Sequence, residues 1–125
     1  MKIAVIVVGS HFSGKSRTIK EFQKPLLGLT SHQQIFERKG KSGRILSQSF
    51  EESRSNANEK IARHSHHDLL VIAARPESET VTQLLAVEKL LTKYKFKHHR
   101  VVIDADPTDS YCKRKAKEIL GHLDA

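Results

Sequence analysis

Tryptophan is absent from the 125 residues, and cysteine and methionine occur once each. A single cysteine, Cys112, closes no internal disulfide and builds no cysteine zinc cage. It accords with a reducing compartment. Six glycines and three prolines are too few for a collagen-like repeat or a low-complexity tail. No apolar run approaches the roughly 20 residues that span a bilayer. The apolar start, Ile3 to Val8, is preceded only by Lys2 and followed by Gly-Ser-His-Phe. A secretory signal would want a longer apolar stretch and a small-residue cleavage site. The expectation is a cytoplasmic chain with no membrane partner and no internal repeat.

What is present is globular in composition, with 38% apolar and 29% charged residues. The length suits one domain, residues 1–125, that buries about two-thirds of its unfolded surface and needs no staples. Lysine and arginine exceed aspartate and glutamate by 22 to 14, a net charge of +8. That excess favours anionic partners and constrains association, not fold.

Residues 2–8, KIAVIVV, form a β-branched run apolar on both faces that meets glycine, the pattern of a buried parallel strand. A short helix over 15–23 follows, with Ile19 and Phe22 on one side and Pro25 stopping it. Residues 34–38 and 44–48 read as a small hairpin around the basic, Gly-rich turn 39–43. Ser49 to Glu52 fits a capping box for a polar helix over 50–63. Residues 68–74, DLLVIAA, repeat the buried-strand pattern. Ser78 can cap a helix to about Tyr94, whose apolar set is Val81, Leu84, Leu85, Val87, Leu91 and Tyr94. Residues 101–105 read as a third buried strand. Asp106-Pro107-Thr108-Asp109 then starts a last helix with Asp106 as cap and Pro107 at its first position. That helix turns Cys112, Ala116, Ile119, Leu120 and Leu123 inward. Buried strands alternating with amphipathic helices predict an α/β fold, a parallel sheet covered on both faces. Ligands in such folds bind at the carboxyl ends of the strands. Here those ends are Gly9, Gln48/Ser49, Arg75 and Asp104/Asp106.

At the first of these ends stands Gly9-Ser10-His11-Phe12-Ser13-Gly14-Lys15-Ser16, which fits G-x-x-x-x-G-K-[ST] at every fixed position. Gly9 and Gly14 allow the loop to wrap. Wrapping aims successive backbone N–H groups at phosphate oxygens, and the following helix adds its positive end. Lys15 reaches the β- and γ-phosphates, and the Ser16 hydroxyl can ligate Mg²⁺. A chance match in a chain this long is roughly a one-in-a-few-hundred event at ordinary glycine frequency. On these residues the chain resembles the P-loop NTPase superfamily. The resemblance implies a minimal three-layer P-loop fold, a Mg-nucleotide as ligand, and a nucleotide site over Gly9 to Ser16 with Arg17 adjoining. Phe12 departs from the glycine-rich loop of many small kinases; it packs under the loop or meets a partner.

The resemblance also implies a metal-side acid at the end of a neighbouring buried strand. Asp104 is the first candidate, as catalytic residue and metal ligand beside Lys15 and Ser16. Asp106 competes, but is explained as a helix cap. The strand over 69–74 ends in Arg75 instead; if it lies beside the loop strand, the usual acid is missing there and hydrolysis comes into doubt. Arg75 is a phosphate contact or an ordinary loop arginine. Glu51, Glu52 and Glu77 are first-turn helix acids before they are bases.

Eight histidines raise a metal reading. His64, His66 and His67 cluster near Asp68, but a solvated helix end accounts for them. His11 lies within the loop. Basic clusters occur at Lys39/Lys41/Arg44, at Lys93/Lys95/Lys97 with Arg100, and over Lys113 to Lys117. Tyr94 and Phe96 alternate with the second like a base-stacking surface, although cations also gather at helix C-termini. Asn-Lys-x-Asp and Asp-x-x-Gly are absent, which argues against a conventional GTPase and leaves ATP as the default. No arginine-rich lid is evident. The reading is a nucleoside-triphosphate-binding protein, a slow ATPase or a phosphotransferase such as a small-molecule kinase. Its missing catalytic groups would come from a protein partner or a second subunit. The alternative is a non-catalytic phosphate-sensing module whose basic surface binds nucleic acid or an acidic protein.

Overall fold

A strand apolar at both parities must be covered on both sides, and Lys2–Val8 is. The computed structural model describes residues 2–9, 18–30, 33–46, 57–74, 84–103 and 108–124. Five strands, β1 (Lys2–Val8), β2 (Ile35–Arg38), β3 (Lys41–Leu46), β4 (Leu69–Ala74) and β5 (Phe96–Val102), form one sheet in the order β2-β3-β4-β1-β5. β3, β4, β1 and β5 run parallel, and β2 is an antiparallel edge. The helices are α1 (a π-helical Thr18–Gln23 continuing into the α turn Lys24–Leu26), α2 (Ala57–His64), α3 (Leu84–Lys93) and α4 (Asp109–Leu123).

Strand parity divides the core in two. Ala4, Ile6, Val8, Leu70, Ile72 and Ala74 pack against Ile61 of α2 and Leu84, Val87 and Leu91 of α3. Ile3, Val5, Val7, Leu69, Val71 and Ala73 pack against Ile19 of α1 and Ile119 and Leu123 of α4. The result is three layers, an α/β fold as the alternation predicts. Cys112, Ala116, Ile119 and Leu123 are buried as expected, whereas Leu120 is half-buried.

Local chemistry explains the boundaries. Pro25 does not stop the helix at residue 23 as expected: it stands in the first positions of the α turn, where a missing N–H costs least, and α1 ends one residue later, at Leu26. There the N–H of Leu29 reaches the Lys24 carbonyl at 2.9 Å and that of Gly28 the Pro25 carbonyl at 3.0 Å. Gly28 has φ +74°, so this is a Schellman cap, which wants glycine in the left-handed region. The hairpin turn is only Lys39-Gly40, at φ 52° and 78°, the pair of positive values a type I′ turn requires. Its second strand therefore starts at Lys41, not residue 44, and it is no appendage: β3 joins β4 as a parallel strand of the main sheet. Phe36 lies opposite Gly43, and its ring fills the space a Cβ there would need, with ring carbons 2.3–2.7 Å from that position.

Two further expectations are corrected. The strand expected at 101–105 begins at Phe96, and it is an edge, not a fully buried strand: Lys97, Arg100 and Val102 face solvent. Cations on an edge strand oppose edge-to-edge association, which is why its first half does not look apolar. Thr108 holds the N-cap position of the last helix, with an extended backbone at φ −66°, ψ 148° and no side-chain capping bond, so the helix starts at Asp109 and the cap position expected at Asp106 lies two residues too early. Residues 50–56 of the expected polar helix and 78–83 of the next lie outside the described residues, as does the Ser49 capping box.

Candidate functional site

The carboxyl edge of the sheet is where the motif attaches. β1 is flanked on both sides: Val8 pairs in register with Ala74 of β4 and with Val102 of β5. Beyond the strand, the Gly9 N–H donates to the Ala74 carbonyl at 3.0 Å, and the Ile103 N–H donates to the Val8 carbonyl at 2.7 Å. Three chain segments thus leave this edge side by side, at Gly9, Ala74 and Ile103. The helix that follows β1, α1, lies on one face of the sheet, and the helix that follows β4, α3, lies on the other. Adjacent strands whose continuations diverge to opposite faces leave a crevice at their carboxyl ends, the switch point where open α/β sheets hold ligands.

Gly9 is buried, and its N–H is spent on the sheet. Its part in any phosphate nest is therefore the turn, and the donors must come from later in the motif. Ser10, His11, Phe12, Ser13, Gly14, Lys15, Ser16 and Arg17 lie outside the described residues, and so do Asp104, Asp106, Arg75, Glu51, Glu52 and Glu77. What the fold adds is strand order. β4, whose next residue in the chain is Arg75, lies directly beside β1; so does β5, which Ile103 and then Asp104 follow. The acid expected of a P-loop neighbour is missing on the β4 side and present in the chain on the β5 side.

The other basic and aromatic signals come out differently. Phe96 is 4% exposed and belongs to the core beneath the Lys2 ammonium, 5.1 Å from its ring centre. Tyr94 packs against the same core. The proposed base-stacking surface is thereby removed. Lys95 closes the carboxyl end of α3 at φ 67°, its N–H on the Thr92 carbonyl at 3.0 Å, so these cations do gather at a helix C-terminus. Arg100 forms a two-pronged pair with Glu88 of α3, with Nε to Oε2 at 3.0 Å. That guanidinium holds the Glu88 carboxyl below its ordinary pKa. Arg114 and Lys115 lie over the Tyr111 ring, 5.3 and 5.6 Å from its centre.

The histidines are the largest departure. His64 and His67 are 8% and 6% exposed, not a solvated helix end. They lie at the amino edge of the sheet, where α2 runs out and β4 begins. Burial, then the Arg44 guanidinium, depress the His64 pKa from 6.5 to about 4. Burial, then the neighbouring His66, also lower that of His67. The His67 Nδ1 lies 3.3 Å from the Ser42 hydroxyl of β3. Among the described residues no group of three or more histidine, cysteine or acidic side chains could hold a metal ion. One sequence signal was available: Ile61 and His64 stand three apart on α2, so a helix that buries one buries the other. No helix among the described residues is long and apolar enough to cross a membrane. Comparison with protein-family models, with curated proteins and with solved structures gave no match.

Proposed function

We propose that the chain is a P-loop protein that binds a nucleoside triphosphate, ATP with Mg²⁺, through residues 9–16. One observation carries the reading beyond the motif itself: Gly9 stands at the carboxyl end of an interior strand, β1, at the switch point between β1 and β4. In this reading the N–H groups after Gly9 and the Lys15 ammonium hold the phosphates. Ser16 would ligate Mg²⁺, with Asp104 supporting its shell from beyond β5. Phosphoryl transfer asks little covalent chemistry of the protein, so positioning and charge neutralisation are the contributions to expect. Turnover is slow hydrolysis or transfer to an acceptor, completed by a partner or a second copy.

Isothermal titration of the full chain with MgATP and MgGTP tests this reading. Saturable MgATP binding that Lys15→Ala weakens by about tenfold or more supports it, since a charge-assisted contact contributes about 1.5–3 kcal/mol. Absence of binding to either nucleotide overturns it.

One observation favours a second reading, a nucleotide-responsive module without turnover. The strand beside β1 on one side is followed by Arg75 where a metal-side acid is expected. A cation there would bind phosphate without organising a metal. Steady-state phosphate release separates the two readings: the module binds nucleotide and releases none.

A further inference from the structure

We propose that the amino edge of the sheet carries a site for a small tetrahedral oxyanion of the phosphate class, built by Ser42, Arg44, His64 and His67. It lies at the opposite end of the strands from Gly9 and does not depend on the nucleotide reading.

The first observation is an orphan donor. Arg44 gives one guanidinium nitrogen to the Gln34 side-chain carbonyl at 3.0 Å, but its Nε is buried with no hydrogen-bond partner. Buried unpartnered donors are rare, and an ion or a water is a usual explanation. The second is the charge of the surroundings. The titratable groups around the two histidines are Arg63 of α2, Arg44 of β3, and His66 and Asp68 in the turn before β4. Lys2 of β1 reaches the same turn, with its ammonium on the Ser65 carbonyl. Among the described residues Asp68 is the one acid that acts on either histidine, and it acts on His67. A cluster of this charge repels metal cations and favours an anion.

The third observation is that the donors come from more than one element. Ser42 and Arg44 project from β3 on the face that α2 covers, because residues two apart share a face, with Leu46 of the same parity in that core layer. His64 comes from α2, and His67 from the turn beyond it. A guanidinium and a hydroxyl from one strand, with one imidazole from a helix and one from the turn after it, suit a tetrahedral oxyanion better than a planar carboxylate, which one arginine fork satisfies. The histidines are neutral at pH 7 and gain a reason to protonate only when an anion arrives. Oxyanion binding and proton uptake are therefore linked, and each strengthens the other.

The test is histidine side-chain NMR on the full chain carrying Lys15→Ala, which removes the motif's lysine from the readout. Titration curves are recorded in inorganic phosphate and in chloride at matched ionic strength. The midpoints of His64 and His67 should rise by about one pH unit in phosphate, as for any cationic group given an opposite charge at short range, while exposed His66 moves much less. Arg44→Gln should reduce that rise by at least about half, and Ser42→Ala, on an exposed residue, serves if the arginine variant unfolds. Identical midpoints in the two buffers would overturn the site. So would a rise shared equally by His66 and His122, or one unchanged in both variants.

Discussion

β4 and β5 flank the same strand, yet they are built from opposite materials. β4, LLVIAA, is buried at every residue. β5, FKHHRVV, buries only Phe96 and Val101. Both run parallel to β1 in unbroken register, so backbone pairing does not distinguish them. The difference lies in what covers them. β4 has β1 on one side and β3 on the other, with helices on both faces. β5 is an edge whose polar positions are answered one at a time, Arg100 and His98 by Glu88, and His99 by the stacked ring of His122 at 4.4 Å. Their exits differ as well: the chain continues into Arg75 after β4, and through Ile103 into Asp104 after β5. In the chain order, then, a cation follows one strand beside β1 and an acid follows the other.

Core deletion should separate the two strands most strongly. Ile72→Ala in β4 is expected to cost about 3–4 kcal/mol, the usual range for a large side chain removed from a packed core. Val102→Ala, at a position 49% exposed, should stay within about 0.5 kcal/mol. Urea denaturation of both variants checks the pair, and comparable losses would break the contrast.

Acid should attack the entrance to β4. The His64 pKa is about 4 in the fold against 6.5 for the free side chain. Its contribution is therefore fully present above pH 6.5 and is lost as pH falls toward 4, because the unfolded chain takes up the proton first. The loss near pH 4 is on the order of 3 kcal/mol. His64→Leu, which cannot titrate, should flatten the stability profile between pH 6.5 and 4. The carboxylates of Glu88 and Asp124, held low by Arg100 and Arg38, act in a lower window, below the ordinary carboxylate pKa. An unaltered profile in the leucine variant would remove His64 from the account.

Smaller effects belong to β5 and its approach. Lys95 holds φ 67° between α3 and β5, so Lys95→Gly should raise stability by up to about 1 kcal/mol by removing a left-handed β-carbon. Arg100→Gln should cost only about 0.5–1 kcal/mol, since its pair with Glu88 is partly open to solvent. Thermal unfolding measures both, and salt should erase most of the arginine effect but not the glycine one.

These contrasts also mark how far the sequence could be read. β1 and β4 are legible because burial on both faces leaves an uninterrupted apolar run. The first half of β5 is not, because the partner that neutralises Arg100 stands twelve residues away on α3. His64 and His67 looked solvent-facing for a similar reason: the β3 residues that close over them, Ser42 and Arg44, belong to a strand that looked like a free hairpin arm. The motif at Gly9 needed no tertiary information. The candidate metal-side acid did, since only strand order reveals that both Arg75 and Asp104 follow strands adjacent to β1.

Backbone amide NMR of the full chain titrated with MgATP tests the proposed nucleotide site most directly, because it reads position as well as affinity. Saturating shifts are expected at Gly9, Ala74 and Ile103, along the carboxyl edge, and their loss in Lys15→Ala. Shifts confined to the amino edge around His67, or shifts at Gly9 that Lys15→Ala leaves intact, would contradict it.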